Sequence, residues 1–191
     1  MRCSGLTLLD LLAATTGAAL FSPLLVVAAG LIRLEDGGPV FFVQERVGKH
    51  RRSFRILKLR TMREGRPTHV GRWLRATGID EVPQFVHVLC GEMRMVGPRP
   101  LRLEDIRRLG WDGPEHDARF SVPPGITGLA QLFGTSAAES SELDRWYLRH
   151  RSVPLDLGIL TLSFAVNVVG KRTVRRAMKA ISWDGRAKTG A

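Results

Sequence analysis

Two adjacent carboxylates, Asp80 and Glu81, stand out in a chain rich in basic residues. The 191-residue chain has 29 Lys and Arg against 18 Asp and Glu, a formal net charge of +11. A carboxylate pair within a basic surface suits chemistry on phosphates, because one acid can attack phosphorus or bind a metal while cations hold the phosphate oxygens. The pair is therefore the first candidate for a reaction centre.

Pro83 indicates where a helix that carries the acid pair begins. Helical patterning covers residues 70–76 and 83–89, and proline fits only the first turn of a helix because it has no N–H. We therefore expect Asp80 at or just before the N-cap and Glu81 in the first turn. There the field of the helix would lower the pKa of each carboxyl and keep an attacking carboxylate ionised. Taken alone, the pair fits simple helix capping as well as catalysis.

Cations near the end of a predicted strand are candidate ligands for a diphosphate. Residues 40–43 and 54–59 have strand composition and are joined by the basic segment 48–52, which predicts a β-hairpin with a basic tip. Side-chain alternation places Lys58 and Arg60 on one face, about 6 to 7 Å apart. A solvated strand end is the simpler interpretation of any isolated pair of this kind.

The apolar stretch at residues 6–32 is long enough to enter a membrane, since a span needs about 20 apolar residues. Ser22 and Pro23 in its middle favour a sharp bend. The cations Arg2 and Arg33 on its two flanks suit a re-entrant hairpin with both ends on the cytoplasmic side. A kinked single span and a cleaved signal peptide are the alternatives.

Composition narrows the class of partner. Cys3 and Cys90 are too few for a disulfide framework, which indicates a reducing compartment. The positive charge suits nucleic acid, anionic lipid or a nucleotide diphosphate. The single Tyr and the lack of aromatic-basic interleaving argue against nucleic acid. A basic membrane-tethered nucleic-acid-binding protein is kept as an alternative.

The last third of the chain contains further membrane-seeking patterns. An apolar run at residues 157–169 is short for a span and suits an interfacial or buried helix. Residues 171–183 alternate Lys and Arg with apolar side chains, a basic amphipathic pattern. We expect this segment to bind anionic membrane lipid, with a solvated helix face as the alternative.

Five ordered segments together resemble the bacterial sugar transferase family, and more narrowly its small monotopic phosphoglycosyl transferases. The segments are residues 38–48, 58–62, 80–84, 91–100 and 124–131, within a resemblance that covers residues 8–165. It implies an α/β fold, mostly helical with a small β-hairpin. A re-entrant membrane helix, residues 1–34, broken at Ser22-Pro23, would anchor a cytoplasmic catalytic domain, residues 35–191, with interfacial amphipathic helices. The implied location is the cytoplasmic face of the inner membrane, and a homodimer is one possible assembly.

The resemblance also implies a reaction. Such an enzyme transfers a sugar 1-phosphate from a nucleotide diphosphate sugar, usually a UDP-sugar, to polyprenol phosphate, releases UMP and so initiates a lipid-linked glycan. By similarity Asp80 is the nucleophile that forms an aspartyl phosphosugar and also a ligand of Mg²⁺, while Glu81 acts as a base or metal-site carboxylate. The implied substrate-binding residues are Lys58, Arg60, Arg99, Arg119 and Gln131.

Several positions depart from the family pattern. Glu92 replaces the usual Asp, Arg94 stands where Ser is common, and Leu129 replaces a frequent Trp. Asp10 matches the family's acid near the start of the membrane helix, but Leu8 and Leu9 replace the basic residue before it. We expect a minimal member, without the multi-span N-terminal extension of larger members. A catalytically inactive scaffold of the same fold is the second alternative.

Overall fold

The apolar N-terminal stretch forms one long helix, α1 (Leu8–Asp36), in a computed structural model that describes residues 7–169. Thr7 caps the helix in a capping box: its hydroxyl accepts from the Asp10 N–H, and the Asp10 carboxylate accepts from the Thr7 N–H. Gly37 ends the helix with φ 68°, a left-handed conformation that favours glycine. Within residues 7–169, α1 is the one helix long and apolar enough to cross a membrane.

Helix α1 continues through Ser22 and Pro23. The Ser22 hydroxyl donates to the Ala19 carbonyl over 2.8 Å. This carbonyl lies four residues before Pro23, which has no N–H to donate to it. The predicted break of the helix into two halves is therefore not confirmed, and the bend stays a prediction. Leu20 and Val26, on either side of this point, are 70% and 73% exposed.

Three small sheets and seven further helices complete the described part, residues 7–169, which is mostly helical as predicted. The elements are β1 (Phe41–Val47), β2 (Ser53–Leu59), β3 (Met62–Arg63), β4 (Arg66–Pro67), α2 (His69–Thr77), α3 (Phe85–Leu89), β5 (Arg94–Val96), α4 (Leu103–Arg108), α5 (Asp117–Phe120), β6 (Gly125–Thr127), α6 (Leu129–Phe133), α7 (Ala137–His150) and α8 (Val153–Val169). Short 3-10 helices cover Lys49–Arg51, Ile79–Gln84 and Pro114–His116.

The sheets bring distant segments together. Strands β1 and β2 form the predicted antiparallel hairpin, with Phe42 opposite Lys58 and with the basic tip at Lys49–Arg51. Strands β5 and β6 pair in parallel, with Arg94 opposite Gly125. The predicted basic segment at residues 171–183 lies outside the described residues.

The hydrophobic core holds both ends of α1. Ala14 packs in a cluster with Ile56 of β2 and Tyr147 of α7, whereas Ala28 and Ile32 pack in a second cluster. The second cluster contains Leu59, Leu74 and Ile79. Helix α1 is thus part of the fold near its start and near its end, while much of its remaining apolar surface is exposed.

A buried polar network fastens the start of α1. The Arg94 guanidinium lies 3.0 Å from Asp10 and 3.4 Å from Asp156, and the Met95 N–H donates to Asp10 over 2.9 Å. The Tyr147 hydroxyl donates to Asp156 over 2.7 Å. Charged groups remain buried at tolerable cost only when they are paired in this way. The network joins α1, β5, α7 and α8.

Candidate active site

The acid pair lies in the first turn of the 3-10 helix Ile79–Gln84, which follows α2 after Gly78. Gly78 has φ 74° and is both the C-cap of α2 and the N-cap of the 3-10 helix. The expected position of Asp80 at or just before the N-cap is therefore wrong, because Asp80 lies inside the helix, whereas Glu81 is in the first turn as expected. A short 3-10 helix accommodates Pro83, whose missing N–H removes a single donor.

Burial raises the pKa of Asp80 to about 6, and the neighbouring Glu81 charge adds to the rise, while Lys58 and Arg75 oppose it. The expectation that the helix field lowers this pKa is wrong, since desolvation outweighs the field of a six-residue helix. At pH 7 a carboxyl with this pKa is ionised about ten to one. Asp80 is thus a charged carboxylate that is more basic than an exposed aspartate, which suits a nucleophile.

Glu81 faces the hairpin across a small cleft. The Lys58 ammonium of β2 donates to the Glu81 carboxylate over 2.5 Å, and both side chains are partly exposed. The cleft is open to solvent and has a volume of about 260 Å³, part of which is open solvent. Its polar lining consists of Arg46, Lys58, Glu81, Gln84, Arg99 and Gln131. The structure therefore brings together four of the predicted site residues, Lys58, Glu81, Arg99 and Gln131. Asp80 precedes Glu81 but does not itself line the cleft, although the Lys58 charge acts on its carboxyl.

Arg60 lies away from this cleft. Its guanidinium pairs with Asp36 at the end of α1, and its Nε donates to the Pro39 carbonyl over 2.6 Å. The prediction that Lys58 and Arg60 present two cations side by side is thus wrong for this structure. Strand β2 ends at Leu59, and the two side chains reach different carboxylates, Lys58 that of Glu81 and Arg60 that of Asp36.

Arg119 is buried in the wall of a neighbouring pocket. Its guanidinium lies 3.1 Å from the Asp144 carboxylate, donates to the Arg99 carbonyl over 3.1 Å, and lies over the Trp111 ring at 4.6 Å. The neighbouring pocket, of about 180 Å³, is also lined by Arg99. Arg119 therefore supports the backbone of Arg99 and does not line the cleft of Glu81.

Sequence reasoning missed two cleft residues, Arg46 and Gln84. The Arg46 guanidinium donates to the Pro100 carbonyl over 3.2 Å and to the Gln44 side chain over 2.5 Å. Gln84 is 2% exposed. Within residues 7–169, neither Arg46 Nε nor Gln84 Nε2 has a hydrogen-bond partner. Both residues occur in the segments 38–48 and 80–84, so their position within those motifs was the available signal.

The acid pair fits a magnesium ion that is shared with a substrate. Within residues 7–169 no group of three or more His, Cys, Asp or Glu could form an all-protein metal site. Mg²⁺ commonly binds through one or two carboxylates together with substrate phosphates and water. Asp80 and Glu81 provide that number of carboxylates.

A cleft lined by Glu81 and three cations, on a domain packed against an apolar helix, is suited to phosphates and suggests a membrane-associated protein. Comparison with known sequences identifies the family. The sequence signature of the bacterial sugar transferases matches residues 4–170. The chain belongs to this family, as its motifs predicted.

Three relatives show how similar the chain is to members of the family and how much of each protein the similarity covers. The chain is 39% identical over 172 residues to the UDP-N-acetylgalactosamine-undecaprenyl-phosphate N-acetylgalactosaminephosphotransferase of Aeromonas hydrophila, covering 80% of this chain and 41% of that protein. It is 44% identical over 152 residues to the UDP-glucose:undecaprenyl-phosphate glucose-1-phosphate transferase of Caulobacter vibrioides, covering 72% and 57%. It is 38% identical over 171 residues to the uncharacterized sugar transferase EpsL of Bacillus subtilis, covering 82% and 83%. The chain thus spans about half the length of the first two relatives.

Proposed function

We propose that this protein transfers a sugar 1-phosphate from a UDP-sugar to undecaprenyl phosphate, releases UMP and initiates a lipid-linked glycan. The observation that carries the proposal is the partly buried Asp80 next to Glu81, which lines a cleft together with Lys58, Arg46 and Arg99. The names of the relatives from Aeromonas hydrophila and Caulobacter vibrioides support both the donor and the acceptor.

Asp80 acts as the nucleophile in the first half of the reaction. Its carboxylate oxygen attacks the phosphorus that bears the sugar, and the bond from that phosphorus to the bridging oxygen of the diphosphate breaks. UMP leaves with the electron pair, and Asp80 carries the sugar phosphate as an acyl phosphate. The pKa of about 6 supports this role, because Asp80 is then mostly ionised at neutral pH and still basic.

The lipid phosphate completes the reaction. One of its oxygens attacks the phosphorus held by Asp80, and the Asp80 carboxylate leaves to give a polyprenyl diphosphate sugar. Glu81, held by Lys58, is placed to assist as a base or as a metal-site carboxylate. A magnesium ion at the acid pair would neutralise the negative charge of the diphosphate.

The cleft cations hold the phosphate oxygens. Charge spreads over these oxygens as the phosphorus is attacked, and Lys and Arg donors at a partly dry site stabilise it. Lys58 approaches from β2, whereas Arg99 approaches from the loop after β5, between Pro98 and Pro100. Gln84 and Gln131 also line the cleft, and their amides can donate to the donor substrate.

We further propose that α1 is a re-entrant membrane helix on the cytoplasmic face of the inner membrane. Its support is the packing of Ala14 and Ile32, near opposite ends of α1, against the same domain. A helix whose first end lay on the far side of the membrane could not make both contacts. Ser22 and Pro23 lie between these contacts, where a bend would turn the exposed middle of α1 into the bilayer.

The first experiment measures UMP release by detergent-solubilised protein with magnesium, undecaprenyl phosphate and a panel of UDP-sugars. We expect release that requires both the lipid and Asp80, so that Asp80→Asn abolishes it. Folded protein that releases no UMP with any donor would favour the inactive scaffold. Wild-type rates in Asp80→Asn would remove Asp80 from the nucleophile role.

Labelling of cysteines tests the topology. Cys90 is exposed on the catalytic domain and provides an internal reference. For a re-entrant helix, a membrane-impermeant maleimide added to one side of sealed vesicles labels Cys3 and Cys90 together. Labelling of the two cysteines from opposite sides would establish a span. Single-cysteine variants, Cys3→Ser and Cys90→Ser, assign the signals.

A further inference from the structure

His87 is a buried histidine that joins β2 to the turn after α3. Its Nε2 lies 3.0 Å from the Leu57 backbone nitrogen, and its Nδ1 lies 2.7 Å from a carboxylate oxygen of Glu92. A backbone N–H can only donate, so Nε2 carries no proton and accepts. The ring proton therefore lies on Nδ1 and is donated to Glu92.

The register of the hairpin explains why the Leu57 N–H is available. The Arg60 N–H donates to the Val40 carbonyl over 2.8 Å. Opposite residues of an antiparallel ladder alternate between pairs with and without hydrogen bonds, so Phe42 and Lys58 also form a hydrogen-bonded pair. Leu57 lies opposite Val43, in one of the alternate pairs. Its N–H consequently points away from β1, and His87 is the partner that it reaches.

The hydrogen bond lies one residue from the cleft. Leu57 precedes Lys58, whose ammonium contacts Glu81, and the 3-10 helix that carries Glu81 runs directly into α3, which carries His87. Strand β2 is therefore joined to the 3-10 helix and α3 twice, once by the backbone of Leu57 and once by the side chain of Lys58. Phe54 packs edge-on against the His87 ring at 5.8 Å and limits its rotation.

We propose that His87 is a positioning residue: it fixes the backbone of β2 so that Lys58 meets Glu81 beside the reacting phosphate, and Glu92 fixes the ring of His87. The kinetic part of this proposal rests on the proposed sugar-phosphate transfer. His87 touches neither substrate nor acid pair, so its effect on the reaction passes through Lys58.

Two substitutions of His87 separate its two hydrogen bonds. A glutamine amide reaches about as far as Nε2 and can accept from Leu57, whereas an asparagine amide reaches only as far as Nδ1. His87→Asn leaves the part-buried Leu57 N–H without its acceptor, which we expect to lower kcat about tenfold. His87→Gln should stay within about threefold of the wild-type kcat, and KM for the donor should change little in either. His150→Asn, at the exposed end of α7, is the control.

A double-mutant cycle with Lys58→Ala tests whether His87 acts through Lys58. In the Lys58→Ala background, His87→Asn should cause little further loss, because the group that it positions is gone. Thermal unfolding of each variant accompanies the kinetics. The same fold loss in both backgrounds, or equal losses for the Asn and Gln variants, would overturn the positioning role and leave His87 a general contributor to stability.

The tautomer gives a test that is independent of activity. We expect ¹⁵N NMR of the histidine rings to show His87 with a protonated Nδ1 and an unprotonated Nε2, and a protonated Nε2 would overturn the hydrogen bond to Leu57. If wild-type protein releases no UMP, the proposed function and the kinetic role of His87 fail together. The NMR result then still decides whether His87 holds β2.

Discussion

Arg94 and Asp10, 84 residues apart in sequence, form an ion pair with 3.0 Å between the Arg94 Nε and a carboxylate oxygen of Asp10. Their side chains are 4% and 2% exposed. In sequence, Arg94 was a departure at a position where Ser is common, and Asp10 lacked the basic residue usually found just before it. The structure connects the two departures, because Arg94 provides Asp10 with a cation from β5.

Replacing Arg94 with methionine should lower the free energy of unfolding by about 3 to 5 kcal/mol, because two buried carboxylates, Asp10 and Asp156, lose their cation. The measurement is chemical unfolding in detergent. Arg102→Met is the control, since Arg102 is 40% exposed and its pair with Asp105 should contribute less than about 1 kcal/mol. Equal losses in the two variants would contradict a special role for the buried pair.

Substitution of Lys58 should mainly reduce activity, whereas substitution of Arg60 should mainly reduce stability. Lys58→Ala removes a cation of the cleft and should lower kcat/KM about a hundredfold with little change in unfolding. Arg60→Ala removes the partner of the buried Asp36 and should mainly lower the unfolding midpoint. UMP release and thermal unfolding of both variants check the prediction. A larger kinetic loss in Arg60→Ala would instead place Arg60 at the substrate.

The rate should depend on the ionisation of Asp80. Because the pKa of Asp80 is about 6, kcat/KM should fall tenfold per pH unit well below pH 6, as the proposed nucleophile becomes protonated. Lys58 lowers this pKa, so the acidic limb of the pH profile should move to higher pH in Lys58→Ala. An acidic limb that stays in place in this variant would show that another group controls it.

Asp80→Asn should stabilise the protein while it abolishes turnover. The folded-state pKa of about 6 lies above the ordinary value of 3.8, so ionised Asp80 costs the folded state up to about 3 kcal/mol at pH 7. This cost disappears as the pH falls from above 6 towards 3.8, because the folded state binds the proton first, and both states bind it only below 3.8. The gain of Asp80→Asn in unfolding free energy should therefore be present at pH 7.5 and shrink by pH 4. A gain that does not vary with pH would have a cause other than the Asp80 charge.

Arg119 and Arg99 should behave oppositely, although both were predicted to bind substrate. Arg119→Met breaks a buried pair with Asp144 and should destabilise the fold by about 3 to 5 kcal/mol. Arg99 is exposed at the cleft, so Arg99→Met should change unfolding by less than about 0.5 kcal/mol and raise KM for the UDP-sugar. Donor titrations and unfolding curves distinguish these outcomes. An unchanged KM in Arg99→Met would remove Arg99 from the donor site.

Local patterns in the sequence were sufficient for several features. The apolar run predicted α1, the alternating strands with a basic tip predicted the β-hairpin, and five ordered motifs predicted the family. These features depend on residue type and short spacing, which set backbone preference and the face that a side chain occupies. The adjacency of Asp80 and Glu81 is likewise a local feature that the sequence shows directly.

Tertiary packing determined which partners the long side chains reach and how far burial shifts the pKa of a carboxyl. Lys58, near the end of β2, and Arg60, just after it, reach different carboxylates, and Arg119 forms a buried pair with Asp144. The rise in the pKa of Asp80 comes from burial by segments distant in sequence. Such outcomes depend on desolvation and on contacts across many residues, neither of which is a property of a local pattern. The sequence by itself therefore determined the helices and strands, the motifs and the acid pair. The tertiary structure determined which cations lie near the acid pair and which form ion pairs that stabilise the fold.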